Sequence, residues 1–90
     1  MHQIELVPDL SHCIETVAKK EYRETIERIL NTAEASNELE EKAEILRLFL
    51  QAANFKRLRT ESERYLVSGR KVKFVVCLQN GSLRYNIQET

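Results

Sequence analysis

The sequence predicts one small α+β domain, in which helices come first and a C-terminal antiparallel β-hairpin packs on them. Two patterns support this fold class: apolar residues recur at helical spacing up to residue 68, and from residue 72 they alternate around a turn. A chain of 90 residues has room for one hydrophobic core. With 42% hydrophobic and 31% charged residues, the composition is that of a folded chain. We therefore treat residues 1–90 as a single domain.

The first helix is predicted over about residues 10–35. Asp9 or Ser11, after Pro8, is typical of a helix start, because a side-chain oxygen there accepts a hydrogen bond from a free amide. The apolar residues change face midway, and the two sets are Leu10, Cys13, Ile14 and Val17, then Tyr22, Ile26, Ile29, Leu30 and Ala33. Since no Gly or Pro intervenes, we expect one continuous helix rather than a break near Lys20.

Residues 38–68 are predicted to form the returning arm of a helical hairpin. Ser36 or Asn37 can cap this arm, and the glutamates of its first turn suit the positive end of the helix dipole. Its middle part is apolar around more than half of the circumference, which marks it as the central core helix. Asn54 can cap a separate helix that ends at Gly69. One helix and two helices therefore stay open as alternatives for this arm.

The β-hairpin is predicted over about residues 71–88. Asn80-Gly81 suits a two-residue type I′ turn, and that turn fixes the register of the two strands. The pairs predicted on the apolar face are Leu78 with Leu83, Val76 with Tyr85, and Phe74 with Ile87. We expect this face to cover the helices. Because a lone hairpin leaves two open edges, the alternating segment 3–7 is a candidate third strand, from the same chain or from a second one.

No catalytic residue, cofactor site or metal site is predicted, and we do not expect an enzyme. His2, His12 and Cys13 are the only cluster with metal-ligand atoms, but a zinc site needs three or four ligands with convergent geometry and no second cluster is visible. Cys13 lies on the apolar stripe of the first helix and is interpreted as a small buried hydrophobe. Cys77 is expected on the polar face of the hairpin, opposite Arg84, without an acid-base partner.

The charges are divided unevenly along the chain. Residues 1–45 contain five Lys or Arg against eleven Asp or Glu, a net charge of −6, whereas residues 46–90 contain nine against three, a net charge of +6. The second half offers candidate contacts to nucleic acid, namely Lys56, Arg57, Arg70, Lys71, Lys73 and Arg84. The competing interpretation is that these residues pair with the acidic half, within one chain or across a dimer.

The function predicted by elimination is a small protein-interaction or oligomerising module. A homodimer or another protein partner is expected, and a nucleic-acid-associated accessory protein is the alternative. The residues predicted for an oligomer seam on the central helix are Leu46, Phe49, Leu50 and Ala53. Since the sequence shows neither a secretory signal pattern nor about 20 consecutive apolar residues, no membrane association and a cytoplasmic location are expected.

Overall fold

The computed structural model describes residues 2–32 and 37–90 and has the predicted α+β architecture. The elements in chain order are β1 (His2–Leu6), α1 (Ile14–Asn31), α2 (Asn37–Ala52), α3 (Phe55–Val67), β2 (Val72–Gln79) and β3 (Ser82–Glu89). The three strands form an antiparallel sheet in the order β1-β2-β3, with β2 in the centre. The helices pack on the sheet face that carries Leu6, Phe74 and Val76.

The first helix begins later than the sequence predicts, at Ile14 instead of residue 10. The Asp9 carboxylate accepts hydrogen bonds from the amides of Ser11 (2.8 Å) and His12 (2.7 Å), so it closes a turn of its own before the helix. The His12 amide in particular lowers the pKa of Asp9. Leu10 is left 69% exposed in this turn, outside the apolar stripe to which the pattern assigned it.

From its start, α1 is continuous through the change of apolar face, as predicted. It ends at Asn31, short of the predicted residue 35, because Thr32 has an extended backbone. Ala33 and the proposed cap Ser36 lie outside the described residues.

The returning arm is two helices, so the alternative with three helices in total is the correct one for the described residues. The Asn54 side chain caps α3 by accepting a hydrogen bond from the Arg57 amide (3.2 Å). At the other end, Gly69 has a φ of +82°, and the Arg70 amide donates to the Tyr65 carbonyl (2.9 Å). This left-handed glycine ends the helix, as the sequence predicts.

The predicted hairpin register is confirmed, with Leu78 opposite Leu83, Val76 opposite Tyr85 and Phe74 opposite Ile87. Asn80 and Gly81 have φ values of 52° and 79°, as a type I′ turn requires. The third strand comes from the same chain, since β1 pairs with β2 from His2 opposite Leu78 to Leu6 opposite Phe74.

The core lies between the sheet and α2, with the start of α1 at its side. Phe49 is at the centre, and its ring makes edge-on contacts with those of Tyr85 (5.2 Å between centroids) and Phe55 (5.4 Å). The most completely buried hydrophobic residues are Leu6, Ile14, Ala18, Ile45, Leu46, Phe49, Val72, Phe74 and Val76. The prediction that the apolar part of the returning arm, which forms α2, is the central core helix is therefore confirmed.

Candidate interaction surface

Part of the predicted seam is already used inside the chain. Leu46 and Phe49 are each 0% exposed, because both belong to the core that α2 forms with α1 and the apolar face of the sheet. They have no surface left for a second chain, and we remove them from the seam. Leu50 and Ala53 are half-buried at the rim of the same core. The apolar pattern of α2 identified the core correctly, but it could not show which neighbour covers which part of the helix.

The edge of the sheet formed by β3 carries unpaired backbone groups. Among the described strands, β3 has a neighbour on one side only. In a two-residue turn, the residues that close it, here Gln79 and Ser82, form a hydrogen-bonded pair, and such pairs then recur at every second residue. The even-numbered residues of β3 therefore hydrogen bond to β2. The hydrogen bond from the Thr90 amide to the Lys71 carbonyl (2.9 Å) agrees with this alternation. The N–H and C=O groups of Leu83, Tyr85 and Ile87 therefore point away from the sheet.

The side chains of the same three residues lie on the helix side of the sheet but are covered incompletely. Leu83, Tyr85 and Ile87 are half-buried, whereas Phe74 and Val76, opposite two of them on β2, are fully buried. Within β3, all eight residues of which are described, there is no Pro, and the register shows no bulge. This edge thus lacks two devices by which proteins block the addition of a further strand.

The opposite edge of the sheet offers less. β1 has five residues against eight in β3, and Pro8 stands shortly after its end. Short edge strands and prolines are common protections against strand pairing. We therefore regard β3 as the candidate interaction surface.

The two ends of β3 differ in charge. Beside the hairpin tip, a cleft of ≈ 480 Å³ between α2 and residues 78–81 is lined by Glu41 and Glu44. At the other end, a groove of ≈ 430 Å³ beside Ile87 is lined by Arg64, Arg70 and Glu61. Arg47 pairs with Glu44 at the first end and Glu89 pairs with Arg70 at the second, so each charge is offset in part, with a surplus of carboxylates at the hairpin tip and of arginines at the far end.

The structure separates the six predicted nucleic-acid contacts into different surfaces. Arg70 lies in the basic groove together with Arg64, which the six did not include. Lys56 and Arg57 line a separate depression on α3 that shares Arg64 with this groove. Lys73 and Arg84 are on the outer face of the sheet, and Lys71 is exposed before β2.

Several of these cations already have acidic partners. The ion pairs are Arg57 with Glu61 (3.1 Å), Arg70 with Glu89 (3.6 Å) and Lys73 with Glu5 (3.0 Å). These contacts offset part of the positive charge at both surfaces.

The two cysteines occupy different settings. Cys13 is the N-cap residue of α1 and half-buried rather than in the core, because the helix begins later than predicted. Its pKa is lowered chiefly by the Thr16 hydroxyl, 3.3 Å from Sγ, with a smaller effect of the Arg59 charge. Cys77 lies opposite Arg84, as predicted. Within residues 2–32 and 37–90, no group of three His, Cys, Asp or Glu side chains is placed to hold a metal ion.

The fold and this edge define a small α+β domain with an incompletely covered sheet. The chain belongs to an uncharacterised protein family, whose model matches residues 3–87. Comparisons with curated proteins and with solved structures give no match. Among the described helices, none combines the length and apolarity needed to cross a bilayer.

Proposed function

We propose that this protein is a small protein-interaction module that acts through the open edge of β3. The observation that carries the proposal is the coincidence, at Leu83, Tyr85 and Ile87, of outward-pointing backbone groups with half-buried apolar side chains.

Addition of a strand to β3 satisfies both features at once. The incoming backbone pairs with the free N–H and C=O groups, and its side chains cover the apolar row on the helix side. A domain of this size buries a smaller share of its chain surface than a larger domain does, so a partner contributes materially to its stability. The two free cysteines fit a reducing compartment, and we place the module in the cytoplasm.

The proposal is tested by recovering proteins from the native host with a tagged chain and a variant with a blocked edge. Ile87→Lys directs a charge inward at the edge, which is a known barrier to strand addition. Gln3→Lys is the matched control, since it adds the same charge on the exposed side of β1. Circular dichroism first establishes that both variants fold.

We expect at least one protein, an untagged copy of the chain included, to be recovered with the wild type and the control but not with Ile87→Lys. If the set recovered is the same for all three chains, the edge is not the site of interaction.

A second candidate function is contact with nucleic acid at the basic groove, favoured by Arg64 and Arg70, which both line it. Binding through phosphates weakens steeply between about 50 and 200 mM salt. We expect a mobility shift that disappears over this range and in the double variant Arg64→Ala, Arg70→Ala. No shift at low salt contradicts this function.

A further inference from the structure

We propose that the partner of β3 is a second copy of this chain, and that the two β3 strands pair antiparallel about a twofold axis at Tyr85. The result is one continuous six-stranded sheet with all helices on one side. This inference rests on the proposed function, because it names the partner of the same edge.

The position of the axis follows from the alternation of the strand. Residues paired across two antiparallel strands point to the same face of the sheet. A twofold axis perpendicular to the sheet must therefore pass midway between one residue and the same residue of the second copy. An axis at Tyr85 pairs this residue with its own copy and Leu83 with Ile87 of the second copy. An axis at Asn86 sets Leu83 opposite the Glu89 carboxylate. The first register is favoured, because it matches apolar side chains.

The backbone groups agree with this register. Leu83, Tyr85 and Ile87 are the residues whose N–H and C=O groups point outward, so all three enter hydrogen-bonded pairs with the second copy. Their side chains meet on the helix side, where a single chain leaves them half-buried. On the outer face, Arg84 lies opposite Asn86 of the second copy, and no two like charges are opposed.

The charges at the two ends of β3 favour the antiparallel direction. The acidic cleft with Glu41 and Glu44 lies at the hairpin tip, and the basic groove with Arg64 and Arg70 lies at the far end. Antiparallel pairing brings the acidic end of each copy toward the basic end of the other, whereas parallel pairing aligns like charges.

The test uses the full chain and two variants of one exposed residue, Asn86→Glu and Asn86→Lys. In the proposed register each substitution acts twice, because both copies of residue 86 lie opposite an Arg84. Opposite charges across strands stabilise a pair and like charges destabilise it, so we expect the dimer dissociation constant to fall about 2- to 30-fold with Glu and to rise by a similar factor with Lys. Sedimentation at low salt measures the dimer dissociation constants of the wild type and the two variants. Circular dichroism verifies that each of these chains is folded.

The other outcomes overturn the inference. If both variants weaken the dimer, the axis lies at Asn86, where each charge meets its own copy. If neither changes the constant, the copies meet elsewhere. A wild-type chain that keeps its 10.6 kDa mass at every concentration has no second copy on the edge. The broader function is not decided by these results, since recovery from the host with and without Ile87→Lys detects foreign partners independently.

Discussion

The two strands of the hairpin have the same alternating pattern but different surroundings. On β2, the helix-side residues Val72, Phe74 and Val76 are fully buried, because this strand lies between two others and beneath α2. On β3, the apolar residues of the same face, Leu83, Tyr85 and Ile87, are half-buried, because the sheet ends there. The comparison shows that alternation determines which face of a strand is turned inward. The depth of burial depends on what lies beside and above the strand.

The largest effect is expected from placing a charge in the buried region. Leu46→Glu should leave no folded protein, with a loss of more than about 4 kcal/mol, because a carboxylate enters a site without polar partners. Ala52→Glu, on an exposed position of the same helix, is expected within about 0.5 kcal/mol of the wild type. Urea unfolding followed by circular dichroism measures both. If Leu46→Glu yields a folded monomer, α2 is an open seam after all.

A direct comparison of the two strands comes from one cross-strand pair. Phe74→Ala should lower the free energy of unfolding by about 3–5 kcal/mol, as a fully buried Phe does. Ile87→Ala, opposite it on β3, is expected to cost about 1–2 kcal/mol, because Ile87 is half-buried and the site can collapse. Urea titrations at low protein concentration measure the free energy of unfolding of both variants and of the wild type. Equal losses would show that β3 is as deeply packed as β2.

A smaller effect is expected at the turn that joins the strands. Gly81→Ala forces a left-handed residue, at a φ of 79°, and should cost about 1–2 kcal/mol. An added Cβ meets no atom within 4 Å, so the cost is one of backbone conformation. Amide hydrogen exchange is expected to lose protection in β3 before β2. Asn80→Gly is the control and should change the stability little.

The smallest effect is expected on the outer face, where Lys73 and Glu5 join β2 to β1 (3.0 Å). A double-mutant cycle with Lys73→Ala and Glu5→Ala should give a coupling energy of about 0.2–1 kcal/mol, since the pair is partly exposed. The coupling should decrease in high salt. A value that salt does not alter would indicate a contact between the alkyl parts of the chains.

The hairpin was predictable in detail because three local features agree: an Asn-Gly turn, strict alternation and a matching set of apolar pairs. The end of α3 at Gly69 and its cap at Asn54 follow from similarly local chemistry. The start of α1 was not predictable in this way. Asp9 is as suited to closing its own turn as to capping a helix, and the sequence does not distinguish the two uses.

The candidate site was predictable only in part. The sequence identified an open sheet edge and proposed residues 3–7 as a third strand, but it left the source of that strand open. It also assigned Leu46 and Phe49 to an outer seam, because an apolar stripe contains no information about which neighbour covers it. The difference in charge between the two ends of β3 arises because α2 lies near one end of the strand and α3 near the other. This arrangement is visible only in the tertiary structure.

The pairing of β1 with β2 has a consequence for how the chain folds. The helices and the hairpin can each form from residues that are neighbours in the sequence. β1 must instead pair with a strand made much later, since Lys73 of β2 lies 68 residues after its partner Glu5. Contacts of such sequence separation carry a loop-closure cost and slow the search for the native topology. During synthesis on the ribosome, the first residues emerge long before their partner strand exists. Until the hairpin of β2 and β3 has been made, β1 is an exposed segment without a partner strand, and the sheet is completed as one of the last steps.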